Sequence, residues 1–300
     1  MLKIAYHPIY KHSLPEGHRF PMIKYDLLPH QLLYEGTCTE ANLFTPEIPS
    51  PEPILDVHTS QYYQELTTLR LSPKEVRKIG FPLSEELVKR EVMIADGTIK
   101  AANYAIQYGI AMNIAGGTHH AYTDHGEAFC LLNDQAIAAR HLLKQGLAKK
   151  VMIVDLDVHQ GNGTAEIFAH DDQVFTFSMH GASNYPFKKE QSDLDIPLPK
   201  DTNDQDYLKI LKDTLPSLID KEKPDFIFYL SGVDILDSDK LGTLGCTIGG
   251  CKERDRFVLQ TCKDLEIPVM CSMGGGYSPD IKTIIEAHSN TFRAAQHIYF

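Results

Sequence analysis

Val151-Met152-Ile153-Val154-Asp155-Leu156-Asp157-Val158-His159-Gln160-Gly161-Asn162-Gly163 joins a β-prone apolar run to a cluster of acids and a histidine. The run from Val151 to Leu156 reads as a strand. Beyond it, Asp155, Asp157 and His159 alternate with Leu156 and Val158. On an extended chain alternate residues share a face, so two carboxylates and an imidazole point the same way off one strand end. Unpaired carboxylates are costly to bury, and a cation offsets that cost. A catalytic metal held by three N/O ligands keeps one position open. Asp157 and His159 supply two such ligands.

Working outward, further short apolar runs lie at Leu2–Ala5, Ala111–Ala115, Val174–Phe177, Phe226–Leu230 and Val269–Met270. Between them the apolar spacing predicts helices over 127–145 (Phe129, Leu132, Ala136, Ile137), 206–219 (Tyr207, Leu211, Leu215, Leu218) and 253–265. Asp204 or Asp206 is the expected cap of the second, and Gly146 stops the first. Strands alternating with helices imply right-handed crossovers and a mainly parallel sheet covered on both faces. Such sheets bind ligands at the carboxyl ends of their strands. Those ends carry Gly117-Thr-His119-His120, Asp155 to Gly163, Ser178-Met-His180, Ser231-Gly-Val-Asp234 and Gly274-Gly-Gly-Tyr277. Asp234 is the best third metal ligand. Singly, each motif has an ordinary reading: a solvated loop, a helix cap, an incidental pair, a turn. Their coincidence on successive strand ends does not.

Composition sets the outer bounds. The 300 residues are 43% hydrophobic and 23% charged, a globular mixture. A chain of this length buries roughly 75% of its unfolded surface and needs no disulfide staples. The net charge of -11 argues against binding nucleic acid or an anionic membrane surface. No apolar run approaches the ~18 residues of a membrane span. Six cysteines without a C-x-x-C pair suggest reduced, buried thiols. With no leader-like segment before Leu2, a cytoplasmic location is expected. The Pro-rich stretch 45–53 reads as a stiff surface loop within one domain spanning 1–300.

Together, Gly117-Thr-His-His-Ala121, Glu127-Ala-Phe-Cys-Leu-Leu-Asn-Asp134, Asp155 to Gly163, Ser231 to Asp234 and Gly274 to Tyr277 resemble the zinc-dependent histone deacetylase family of the arginase/deacetylase superfamily. The flavour is that of its class IV-like or bacterial deacetylase-like branch. Gly17-His-Arg-Phe-Pro-Met22 and Asp237-Ser-Asp-Lys-Leu-Gly242 extend the match over most of the chain. The resemblance implies a single α/β domain with about eight strands. By position, Asp157, His159 and Asp234 would bind Zn2+, with Fe2+ an alternative. His119 and His120 would be the catalytic pair and Tyr277 the oxyanion donor. Asp155 would orient His119 and, with Ser178 nearby, hold a structural K+. Phe129, Tyr185 and Gly117 would form the substrate tunnel; Arg19 and Gly275 would border an inner cavity. The rim would come from loops 10–20, 78–92 and 181–192.

Two departures stand out. Asn162 replaces the aspartate that many relatives place behind the base histidine, which predicts a lower pKa for His120. Ala128 replaces a common glycine beside Phe129, so its methyl is expected to narrow or shift the tunnel. The implied activity is hydrolysis of an acylated amine: acyl-lysine in a protein or peptide, or a small acylated amine. An arginase-like ureohydrolase with two manganese ions and a non-catalytic acyl-lysine-binding metalloprotein are the alternatives.

Overall fold

The computed structural model describes residues 1–300. Its eight strands are β1 (Lys3–Ala5), β2 (Leu43–Phe44), β3 (Ile110–Asn113), β4 (Val151–Asp155), β5 (Val174–Gly181), β6 (Leu194–Leu198), β7 (Phe226–Leu230) and β8 (Val269–Ser272). They form one sheet in the order β2-β1-β3-β8-β7-β4-β5-β6, parallel throughout. Every residue of β3, β4, β5, β7 and β8 is buried, as strands covered on both faces require.

The covering helices begin with α1 (Lys24–Tyr34), α2 (Glu52–Leu55), α3 (Ser60–Thr67), α4 (Pro73–Ile79) and the long α5 (Glu85–Tyr108). Then follow α6 (Asp134–Lys144), α7 (Asn162–Ile167), α8 (Asp204–Glu222), α9 (Ile248–Asp264) and α10 (Ile281–Tyr299). Ser84 caps α5 by accepting from Leu87 N, and Gly109 ends it with φ 83°. The helix packs on β1, β3, β8 and α6, while α10 lies against α9 and α1. A single continuous cluster of 77 buried residues fills the space between the layers. No helix is long and apolar enough to cross a membrane.

The topology places the site. After β3 the chain skips to β4, builds outward through β5 and β6, then returns with β7 and β8 to close the gap. Four adjacent strands, β3, β8, β7 and β4, therefore meet where the winding direction reverses. Register aligns their ends: Asn113 pairs with Ser272, Leu230 with Ser272, and Asp155 with Leu230. The segments leaving those ends carry His119 and His120, Tyr277, Asp234 and the Asp157/His159 pair.

Arg254, wholly buried on α9, fastens two of these ends. Its guanidinium donates to Leu156 O (3.1 Å), Gly232 O (2.6 Å) and Ser231 O (3.2 Å), and Nε to Asp255 (2.8 Å). Asp255 in turn accepts from Tyr229 and Thr291 hydroxyls.

Several sequence expectations are corrected. The helix expected over 127–145 begins only at Asp134, because Asn133 caps it by accepting from Ala136 N. Residues 127–133 form a loop in which Ala128 (φ 42°) and Phe129 (φ 71°) are left-handed. Their amides donate to Lys78 O and Ile79 O, which bind the loop to the end of α4. Phe129 and Leu132 are core positions, but their spacing is not helical in origin. Asn203 caps α8 instead of Asp204 or Asp206; Asp204 accepts from Thr247, tying α8 to α9. The helix expected over 253–265 starts five residues earlier, at Ile248. Residues 85–92 belong to α5 and not to a rim loop.

Two stability predictions follow from these contacts. Arg254→Met leaves Asp255 and three carbonyls without their buried donor, so urea unfolding is expected to show a loss of about 3–5 kcal/mol. Ala128→Gly relieves a left-handed alanine, for which about 1 kcal/mol of stabilisation is expected by the same measurement.

Candidate active site

Asp157, His159 and Asp234 are buried, and each offers a ligand atom within 4.8 Å of the other two. The backbone pre-sets them. Asp157 Oδ1 accepts from His159 N (3.0 Å) and Oδ2 from Gly275 N (2.9 Å), while Asp234 Oδ1 accepts from Val158 N (3.0 Å). Gly275 has to be glycine, because a Cβ there would overlap Asp234 Oδ2. His159 Nδ1 lies 2.9 Å from Asp157 Oδ1 and 3.3 Å from Asp234 Oδ2. Asp234 Oδ2 is nevertheless buried without a hydrogen bond. Burial disfavours the imidazolium, but the two flanking carboxylates outweigh it and raise the His159 pKa to about 10. Burial, and then Asp157 beside it, raise Asp234 to about 7. An unpaired carboxylate oxygen and an imidazole that holds a proton only to balance its neighbours are what a divalent cation would satisfy. This donor set fits one.

Asp155 is not part of that group. It takes His119 Nδ1 at 2.6 Å through Oδ2 and Asp157 N at 3.1 Å through Oδ1. His120 Nδ1 lies 2.6 Å from Asn162 Oδ1, and the two histidine rings are 4.1 Å apart. Their environments differ. Burial works against charge on His119, yet Asp155 prevails and its pKa rises. Burial and the positive neighbours His119 and His159 drive His120 well below its ordinary value, with no carboxylate behind it to compensate. Tyr277 is anchored by its backbone N–H on Asp239 Oδ2 at 2.6 Å, and its ring lies 6.4 Å from that of His159.

One cavity runs through this cluster, lined by His119, His120, Asp157, His159, Gly275 and Tyr277. Gly117, Phe129 and Ala128 also line it. Tyr185 is not in the lining. It stands edge-on to His120, centroids 5.0 Å apart, with its hydroxyl on Glu127. Ser178 hydrogen-bonds His180 at 2.9 Å and shares a small cavity with Asp155, Thr164, Thr176 and Ser192.

Arg19 is the misplaced expectation. It is exposed, with its guanidinium 5.0 Å over the Phe129 ring, and does not reach the inner end of the cavity. Two other cations occupy the interior. Arg90 lines the cavity beside Tyr25, stacked 4.9 Å over that ring and donating to Tyr10 O at 2.7 Å. Lys24, fully buried, donates to Gly274 O at 3.2 Å and lies 5.7 Å from the Tyr277 ring. Arg90 had a sequence signal: with Leu87 and Ile94 it falls on the core face of a helix, where a charge needs a reason. Glu127, also missed, accepts from Asn162 and Tyr185.

Comparison with known proteins gives this arrangement a lineage. The histone deacetylase domain family matches residues 18–292. An uncharacterized protein of Picosynechococcus sp. is 45% identical over 99% of both chains. Histone deacetylase 2 of Arabidopsis thaliana is 30% identical over 89% of this chain and 72% of its own. A solved HDAC homologue, complexed with SAHA, superposes with a TM-score of 0.85 at 24% identity, covering 99% of this chain and 84% of that one. With the matched domain extending across the strand ends that build the site, the chain belongs to the histone deacetylase family.

Proposed function

We propose that this deacetylase-family enzyme hydrolyses the amide of an acylated primary amine, acetyl-lysine or a relative of it, with Asp157, His159 and Asp234 holding one divalent metal ion, Zn2+ or Fe2+. The observation that carries the reading is the convergence of an unequal histidine pair and Tyr277 on one cavity with Asp157 and His159, behind which Asp234 completes the buried triad. A bound divalent cation supplies Lewis acidity toward the amide carbonyl and lowers the pKa of water. The chain's own groups supply the proton chemistry. His120, held toward the neutral form by burial first, takes the proton of the attacking water at Nε2. The same nitrogen then protonates the departing amine. Tyr277 keeps its hydroxyl proton, because burial and then the nearby Asp234 and Asp157 raise its pKa, and donates a hydrogen bond to the developing oxyanion. His119, made more basic by Asp155 although burial opposes it, favours positive charge beside the reacting centre.

Phe129 and Gly117 flank the acyl-lysine chain, with Tyr185 at the edge beside His120. Arg90 and Tyr25 face the inner end, where the released carboxylate would meet a cation. The oxygen-bearing side chains around Asp155 and Ser178 suit a structural K+. The presence of one three-ligand group supports this reading over the ureohydrolase-like one, which needs bridging ligands for a second ion.

Hydrolysis of a fluorogenic acetyl-lysine peptide by zinc-loaded protein tests the proposal. Tyr277→Phe is expected to lower kcat by roughly 10²–10³ and His120→Ala by at least roughly 10². Retention of activity in both variants would sink the mechanism. A second measurement needs no turnover. His159, with a pKa of about 10 in the metal-free protein, must lose its proton to become a ligand. Zinc affinity should therefore rise with pH from 6 to 9. Calorimetry in buffers of different ionisation heat should report one bound ion and net proton release at pH 7. Two bound ions would favour the ureohydrolase-like alternative.

A further inference from the structure

The general base depends on which end of the Asn162 amide faces it, and the amide by itself is indifferent to that choice. Asn162 Oδ1 lies 2.6 Å from His120 Nδ1, and Nδ2 lies 3.3 Å from Glu127 Oε2 and 3.0 Å from Tyr122 Oη. A carboxylate only accepts hydrogen bonds. Tyr122 gives its one proton to Glu190, 3.2 Å away, so toward Asn162 it is an acceptor too. Both partners on that side thus demand the NH2 end of the amide. The carbonyl is left for His120, whose Nδ1 must then carry hydrogen. The lone pair falls on Nε2, where a base must have it.

Glu127 is built for this task. Its residue is only 6% exposed, yet it accepts from the Lys78 ammonium, the Tyr185 hydroxyl and His125 Nε2 (3.1 Å). Burial opposes its charge, but these donors prevail and hold its carboxyl at about 2, so it stays ionised. A carboxylate at position 162 would have two equivalent oxygens and nothing to lock, and it would face Glu127 with like charge. Glu127 and Asn162 are therefore complementary: one acceptor and one amide, each requiring the other.

We propose that Glu127 is a positioning residue for the general base: its carboxylate fixes the Asn162 amide and, through it, the Nδ1–H tautomer of His120. The catalytic consequence rests on the deacetylase reading, whereas the tautomer does not.

The test exchanges the two groups. With zinc-loaded protein and an acetyl-lysine peptide, Glu127→Gln frees the amide to turn and is expected to lower kcat about tenfold with KM within about twofold. Asn162→Asp sets two carboxylates face to face and should cost a similar factor. The double variant, Glu127→Gln with Asn162→Asp, restores one acceptor toward His120 and one donor behind it. It should be at least about fivefold faster than either single variant. In parallel, long-range 1H–15N spectra of histidine-labelled protein should show His120 protonated at Nδ1 in the wild type and a mixture of tautomers in Glu127→Gln. An unchanged tautomer, or a double variant no faster than its parents, overturns the proposal. If Glu127→Gln fails to fold, Asn162→Asp decides: activity equal to or above wild type refutes the pairing. A wild type that shows the Nδ1–H tautomer but hydrolyses no acyl-lysine would instead refute the proposed function.

Discussion

Two carboxylates and an imidazole stand within 4.8 Å of one another in a buried cleft, and the architecture around them follows from that placement. In water such a group would be unremarkable chemistry. Out of water it needs a positive charge, and the protein alone supplies it imperfectly, by protonating His159 and leaving an oxygen of Asp234 unpartnered. The sheet order explains how the residues come together. Returning β7 and β8 to the gap between β3 and β4 places four strand ends in one row, so residues more than a hundred positions apart converge.

The two adjacent histidines show how environment assigns roles to identical side chains. They follow each other in sequence and their rings lie 4.1 Å apart. One is backed by a carboxylate and becomes more basic; the other is backed by an amide and becomes less so. Separating two like groups in this way moves their basicities apart in opposite directions. The lowered basicity of His120 comes from burial and then from the neighbouring His119 and His159, while the hydrogen bond to Asn162 acts in the opposite direction.

Much of this was legible from the chain because strand ends are local. Alternation in Asp155-Leu-Asp-Val-His159 and the apolar run before it depend only on residues next to each other, and the triad with Asp234 was recognisable from them. Long-range choices were not. The apolar spacing of Phe129 and Leu132 imitates a helix, whereas α4 captures the backbone of that loop through Lys78 O and Ile79 O. Arg19 sits beside a matching motif, and nothing nearby in sequence says that its guanidinium would remain outside over Phe129 while Arg90, seventy residues on, enters the cavity. Glu127 was likewise hidden, since its significance lies in partners drawn from residues 78, 125, 162 and 185.

Arg254 gives the candidate metal site an independent frame. Its three carbonyl contacts fall on Leu156, Ser231 and Gly232, the residues that lead into Asp157 and Asp234. The candidate ligands are thus aimed by the scaffold itself, with no ion needed to hold them. A divalent ion binding there, as proposed, would enter a site whose side chains are already aimed, so exchange of one ion for another would proceed without refolding.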